Sequence, residues 1–286
     1  MTLTVESGPT VATYLWHRGT QTNIGGLTPS PQFVESGGMN DLVEIIGSTI
    51  SPTTNTFCAF SWQHGQMTEL ASPAGSPAVF GIANNLLGQV AGVAYDANFN
   101  GQVALWNHGA LTLLPGGIPG GDFAQPVGIN IRGEIVGYSN NAANVPSTVL
   151  WRQGVPTVLV PNSSPGAIND EGEVVGTIQG PSPRAFLWQN GTTTQLQPIG
   201  GAGIDSASGI NDLGQIVGWS DNAAVLWQNG GAAINLNSQI APSDPLQPYV
   251  RVQTGRLINN LGDIVATGVD SRNPNIAQWY LLTPVR

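Results

Sequence analysis

Hydrophobic and polar positions alternate along this chain in short runs, and the runs recur. Gly209-Ile210-Asn211-Asp212-Leu213-Gly214-Gln215-Ile216-Val217-Gly218 is followed by Ala224-Val225-Leu226-Trp227-Gln228-Asn229-Gly230. Earlier copies read Gly128-Ile129-Asn130-Ile131-Arg132-Gly133-Glu134-Ile135-Val136-Gly137 with Leu150-Trp151-Arg152-Gln153-Gly154, and Ala167-Ile168-Asn169-Asp170-Glu171-Gly172-Glu173-Val174-Val175-Gly176 with Leu187-Trp188-Gln189-Asn190-Gly191. In the first half of a copy, β-branched runs flank a turn in which Asp bonds the following backbone N–H groups and Gly takes positive φ, which predicts a hairpin. In the second half Leu226-Trp227-Gln228 leads into Asn229-Gly230, a strong hairpin signal. Each copy therefore predicts four antiparallel strands, a to d. No window keeps an apolar i, i+3, i+4, i+7 pattern for three turns, so almost no helix is expected.

The Gly that ends strand b falls at 47, 92, 137, 176 and 218, with Ala266 in the sixth copy, in steps of 45, 45, 39, 42 and 48. The Trp of strand c falls at 16, 62, 106, 151, 188, 227 and 279. Periods of ~40–45 residues with four strands per unit predict an all-β fold, a single β-propeller spanning residues 1–286. Six a–b halves predict six blades, and seven strand-c Trp leave seven as the alternative. The chain opens on a c–d hairpin at 11–19, preceded at most by one strand holding Leu3 and Val5, and ends on an a–b hairpin and one c-like strand at 277–282. Such split ends predict that the N- and C-terminal strands complete one sheet and close the ring. Two copies read as degenerate: 81–89 carries two extra residues between Ile82 and Gly88, and 39–44 lacks the turn Gly.

Composition narrows the chemistry. With 41% hydrophobic residues there is ample material for a core, while 9% charged residues is far below the ~25% of ordinary globular chains. Eight Arg, no Lys and 17 acidic residues give a net charge of −9, which repels phosphate backbones and anionic lipid, so neither nucleic acid nor a membrane surface is an expected partner. The missing Lys excludes a Schiff-base lysine and a phosphate-loop lysine. Cys58 has no disulfide partner, and no Cys/His cluster has zinc spacing, so neither metal nor cofactor is expected. No stretch approaches 18 apolar residues, and the first residues hold no signal peptide. A monomer is expected.

The paired signatures Ile-Asn-Asp-x-Gly-x-Val-Val-Gly and Ala-Phe-Leu-Trp-x-x-Gly resemble the HAF repeats of predicted bacterial extracellular proteins. Of the His-Ala-Phe that names them, Ala185-Phe186, Cys58-Ala59-Phe60 and Ala224-Val225 keep parts, and Gln278-Trp279-Tyr280-Leu281-Leu282-Thr283-Pro284-Val285 resembles their usual end. The resemblance spans nearly the whole chain. It implies a repeat fold and an extracellular setting, whereas the absent leader implies the cytoplasm, and it brings no catalytic residues.

If strand direction alternates, a–b and c–d turns share one face and the variable b–c and d–a loops share the other, where a site at the channel is expected. His17, His64 and His108 follow strand-c Trp residues in the tight turns of the first face and read as exposed turn residues rather than acid–base groups. Seven of the eight Trp read as core; Trp219 alone is out of frame, at the position Tyr138 holds in another copy, and both are candidates for stacking on a ligand. Carboxylates outside the repeat are the polar candidates: Asp96, Asp221 and Asp270 in b–c loops, Asp122, Asp205 and Asp244 in d–a loops. Arg251 and Arg256 flank the innermost strand of the last copy, where one of them would pair with Asp205 or Asp122 or hold a ligand carboxylate. The expected function is a binding propeller that holds a small molecule, glycan or peptide in one pocket. The alternative is a metal- and cofactor-independent enzyme, such as a cyclase, isomerase, lyase or glycoside hydrolase, using an Asp/Arg pair beside aromatic rings.

Overall fold

Period-two alternation gives every strand two faces, and in this chain both carry small or apolar residues, so each sheet is built to be covered on both sides. The computed structural model describes residues 2–7, 10–17, 19–31, 33–201 and 203–285. In it the chain forms seven antiparallel sheets and two short 3-10 turns, Ile199–Gly201 and Leu236–Ser238. Sheets 2 to 6 are four-stranded, with strand a at Val34–Met39, Val79–Asn84, Ala124–Ile129, Ser163–Ile168 and Asp205–Ile210. Sheet 1 has three strands, Thr2–Ser7, Thr10–His17 and Thr20–Asn23, and sheet 7 has three, Val250–Ile258, Ile264–Asp270 and Asn273–Leu282. The single sheet expected to be shared by the two termini is thus replaced by two sheets of three, because strand 2–7 pairs with 10–17 and strand 273–282 with 264–270. The chain divides into two compact units, residues 1–145 with 149–158, and residues 146–148 with 159–286. Among the described residues no helix is long and apolar enough to cross a membrane.

Within each unit the core lies between consecutive sheets. Ile46, Ala59 and Leu70 of sheet 2 and its following loop meet Val79, Val90 and Trp106 of sheet 3, and Val175, Ala185 and Leu196 of sheet 5 and its following loop meet Ala207, Ile216 and Trp227 of sheet 6. The strand-c Trp is the anchor of each layer. In three copies the buried indole donates its Nε1–H back to a carbonyl following the preceding sheet: Trp106 to Ala71 (2.7 Å), Trp151 to Pro115 (2.9 Å) and Trp227 to Gln197 (2.7 Å), whereas the buried Trp62 Nε1–H has no partner among the described residues. A ring covering ~200 Å² contributes at most ~5 kcal/mol, and in those three the donor is satisfied.

Two of the seven expected core Trp depart from this role. Trp16, in the first sheet of its unit, is 49% exposed. Trp279 is 61% exposed because it is out of register: the ladder pairs Ile264 with Leu282 as it pairs Ile216 with Trp227. Leu282 therefore holds the repeat position. Trp279 stands three residues earlier, opposite Thr267, where other copies place Ala59, Val103, Ala185 and Ala224.

The a–b turn is organised by Asn and not by the Asp after it, contrary to expectation. Asn211 Oδ1 accepts from the N–H groups of Leu213 (3.1 Å) and Gln215 (2.9 Å), while its Nδ2 donates to Gln215 Oε1 (2.8 Å) and, in the next sheet, to the Asn259 carbonyl (2.9 Å). Asn40 reaches the Asn85 carbonyl (3.0 Å), Asn85 the Asn130 carbonyl (2.9 Å) and Asn169 the Asn211 carbonyl (3.1 Å) in the same way. Asp212 instead accepts from the Asp170 N–H (2.8 Å) and from Asn260 Nδ2 (2.6 Å), so it links sheets rather than closing its own turn. Superposing copies on Asn removes the expected insertion at 81–89. Asn84, opposite Val90, takes the place of Ile210, opposite Ile216, and Asn85 that of Asn211. In the copy without Gly, Val43 adopts φ 60 in the turn, a left-handed conformation costly for a β-branched residue.

The repeat Gly of strand b follows from a bulge in strand a. Strand a skips one residue, 37, 82, 127, 166, 208 or 256, and so carries a carbonyl against the strand-b Gly; a Cβ on Gly218 would collide with the Ser206 oxygen. In sheet 7 Ala266 replaces that Gly opposite Gly255, and the same close approach moves to Gly268 against the Arg251 carbonyl through a second bulge.

Asn211→Asp keeps both turn acceptors but loses both donors and faces a carboxylate towards the Asn259 carbonyl. We expect it to cost about 2–4 kcal/mol at pH 7 by urea unfolding. Equal stability of the two proteins would contradict the structural role given to the Nδ2 group.

Candidate functional site

Departures from the repeat converge within the second unit. The skipped residues of three successive strands a, Gly166, Ser208 and Arg256, line one groove of about 660 Å³. Gly166 and Ser208 are small; Arg256 is exposed and charged, at a bulge that re-aims its side chain. Its Nε–H points to Thr267 Oγ1 at 3.4 Å, and Thr267 is the cross-strand partner of Trp279. The lining also carries half-buried Trp219, paired across the ladder with Ser206. The Ser206 and Thr177 hydroxyls share a hydrogen bond of 2.6 Å, and Gln179 Nε2 donates to Ser164 Oγ at 3.2 Å. Two indoles, one guanidinium and a set of hydroxyls thus face one space. No carboxylate or imidazole is among the described residues that line it.

The expected candidates divide. Trp219 and Arg256 come together here, and Trp279, read from the sequence as core, joins them. Arg251 lies in the same strand as Arg256, exposed, opposite Val269, and outside the groove lining. Asp221 and Asn222 form a two-residue hairpin loop, both at positive φ (48 and 63), so Asp221 is a turn residue. Asp270 is gripped by Arg272, whose Nε lies 2.9 Å from Oδ1, and Asp244 caps the Leu246 N–H at 2.8 Å. All three histidines are exposed; His64 and His108 occupy left-handed turn positions, φ 53 and 49.

In the first unit, Asp96 and Asp122 border a separate cavity of about 580 Å³ together with Tyr95, Gln102 and Phe123. Asp96 Oδ1 accepts the N–H groups of Asn98 (2.8 Å) and Asn100 (2.9 Å), which holds its carboxyl below the usual range and commits it to its own loop. Tyr138 packs against Phe123 (5.8 Å) at the end of a run of rings: Phe33 to Phe57 (5.2 Å), Phe57 to Phe80 (5.4 Å), Phe80 to Tyr95 (6.0 Å) and Tyr95 to Phe123 (6.2 Å). Tyr138 is therefore part of a packed aromatic run, and burial pushes its hydroxyl pKa up. Sequence reasoning missed the run because its rings are scattered over strands a, b and c and the residue before strand a, and only Phe33 and Phe123 share a repeat position. Burial and neighbouring Glu69 push the Cys58 thiol up to about 12, so it is no nucleophile.

Asp205 is fully buried, and its ion-pair partner is Arg184, not Arg251 or Arg256. Oδ1 accepts the Ala185 N–H, and Oδ2 lies 3.4 Å from Arg184 Nε, a geometry that leaves both atoms short of a hydrogen bond. Burial raises its pKa, partly offset by that N–H and by Arg184. A carboxyl whose pKa is raised by folding stabilises the folded chain below its unfolded pKa, and that contribution is lost as pH rises through the folded value. Asp205→Asn, which retains an acceptor for Ala185, should remove this loss: the wild type falls in stability relative to the variant as pH rises above the ordinary carboxylate range of about 4. A relative rise with pH instead would show that Arg184 outweighs burial.

No family model matches the chain, and no curated protein is similar to it in sequence. Solved structures are similar in fold. The β-propeller domain of the Trilobed protease from Pyrococcus furiosus superposes with a TM-score of 0.57 at 8% identity, covering 88% of this chain and 81% of that one. A Mycobacterium tuberculosis puromycin-hydrolyzing peptidase gives 0.54 at 13%, covering 94% of this chain but 49% of its own. TolB from Acinetobacter baumannii gives 0.49 at 12%, and the chain spans 57% of it. At these identities the likeness is one of fold: antiparallel sheets of at most four strands, as in a β-propeller domain.

Proposed function

We propose that this chain is a ligand-binding β-propeller protein and that the groove beside Trp219, Trp279 and Arg256 is its site. One observation carries the reading: in an array that otherwise repeats small residues, two indoles and the one charged bulge residue among those described open on the same space. An exposed Trp where other copies use Ala, Val or Thr is unfavourable for the free chain and gains by being covered. The lining supports binding over hydrolysis, since none of its described side chains is suited to general acid–base work near neutral pH. Small molecules, glycans and peptides all present faces that stack on indole. The seven sheets support seven blades over six, and the uniform roles of Asn and Gly in the copies support the HAF-repeat resemblance.

The test pairs function with stability. Glycans, peptides and metabolites are screened by intrinsic Trp fluorescence, and any hit is titrated against Trp219→Ala and Trp279→Ala. Each substitution should weaken binding about tenfold or more, and Trp279→Ala should change stability by under about 1 kcal/mol. Trp227→Ala, which empties a buried site, should cost about 3–5 kcal/mol. A ligand whose affinity is indifferent to both groove indoles would overturn the proposal.

A further inference from the structure

We infer that the groove selects an acidic saccharide, with Arg256 receiving a uronate carboxylate while Trp219 and Trp279 take sugar faces; this rests on the groove being the binding site. The charge argument starts from the arginines. Among the described residues Arg132 and Arg152 share Glu134, Arg184 faces Asp205 and Arg272 holds Asp270. Arg256 has no such carboxylate partner among them. Its Nε–H bond to Thr267 fixes the base of the fork and leaves the Nη groups to the groove. A guanidinium presents paired donors matched to the two oxygens of a carboxylate.

The remaining lining points to a sugar rather than a peptide. A pyranose has apolar C–H faces that stack on indole and a rim of hydroxyls that both donate and accept. The groove supplies both halves of that match, two indoles from adjacent sheets and the Thr177, Ser206, Gln179 and Ser164 side chains in the same lining. Hydroxyl pairs such as Thr177 and Ser206 can reverse donor and acceptor, which suits a ligand whose own groups do the same. Charge sets the upper limit. A chain of net charge −9 repels polyanions, so the fit is to one carboxylate at one position and not to a densely sulfated or phosphorylated polymer.

The test is calorimetric titration of the full chain with trisaccharides of galacturonate, glucuronate and mannuronate, each beside its neutral counterpart, and with a carboxylate-ended tripeptide. At least one uronate should bind about tenfold or more tighter than its neutral partner, and the preference should shrink as salt is raised. Arg256→Gln should erase the preference, the acid losing about tenfold more affinity than the neutral sugar, and Trp279→Ala should weaken both alike. Arg256 is exposed, so folding of the variant is not at risk. Equal affinity for acid and neutral sugar, or an unchanged preference in Arg256→Gln, would overturn the inference while leaving a sugar-binding groove. Indole-dependent binding of the tripeptide alone would overturn the saccharide class and leave the groove. Absence of indole-dependent binding by any probe would overturn both readings.

Discussion

The carboxamide of the a–b turn Asn is the contact on which the rest of the structure depends. In Asn211 it accepts twice within its own turn, donates once to the side chain four residues on, and donates once to the next sheet. No other side chain of that length carries two acceptor lone pairs and two donors, so Asp could form the turn but not the link, and Ser neither in full. Asn85, Asn169 and Asn211 are almost wholly buried, and a buried carboxamide left half satisfied would cost a sizeable fraction of a domain's net stability. In the copies of Asn40, Asn85, Asn169 and Asn211 the same side chain thus fixes the turn and the neighbouring sheet.

From that fixed point the other features of the copy follow. The turn sets the pairing of strands a and b, the pairing requires a skipped residue in strand a, and the skipped residue brings a carbonyl onto strand b where only Gly fits. On the next strand a Trp seals the layer through its Nε1–H. The skipped residue itself is exempt from the ladder. That freedom lets Arg256 stand where Gly166 and Ser208 stand in the copies before it, and it lets a groove form on a scaffold whose turns and layers are fully committed.

Much of this was written plainly in the chain. Strand order, the near absence of helix, the Trp-sealed layers and the exposed turn histidines follow from alternation and spacing, because period-two patterning and Asn-Gly turns act locally. Two candidates for the groove, Trp219 and Arg256, stood out because they break the repeat. The rest depends on register, which spacing alone does not fix. Trp279 looked like one more layer anchor because Leu282, three residues on, is also apolar and fills the anchor position. Ile82 looked like the last residue of strand a because the skipped position is silent in sequence. The Asp of Ile-Asn-Asp drew attention from the Asn before it, since both residue types close turns and only the link to the next sheet tells them apart. Asp205 found Arg184 through a contact between two sheets, in which its own N–H donates to the Pro183 carbonyl (3.1 Å) and its carboxylate accepts the Ala185 N–H, a proximity no motif announces.

The central claim is that two indoles left out of the repeat, and not those inside it, meet the ligand. Nitrogen-15 NMR of the indole Nε1–H groups tests it most directly. Trp106, Trp151 and Trp227 should show slow exchange with deuterium and constant shifts on addition of a bound ligand, while Trp219 and Trp279 exchange fast when free and move on binding. Shifts confined to the buried indoles, with Trp219 and Trp279 unmoved at saturation, would contradict the account.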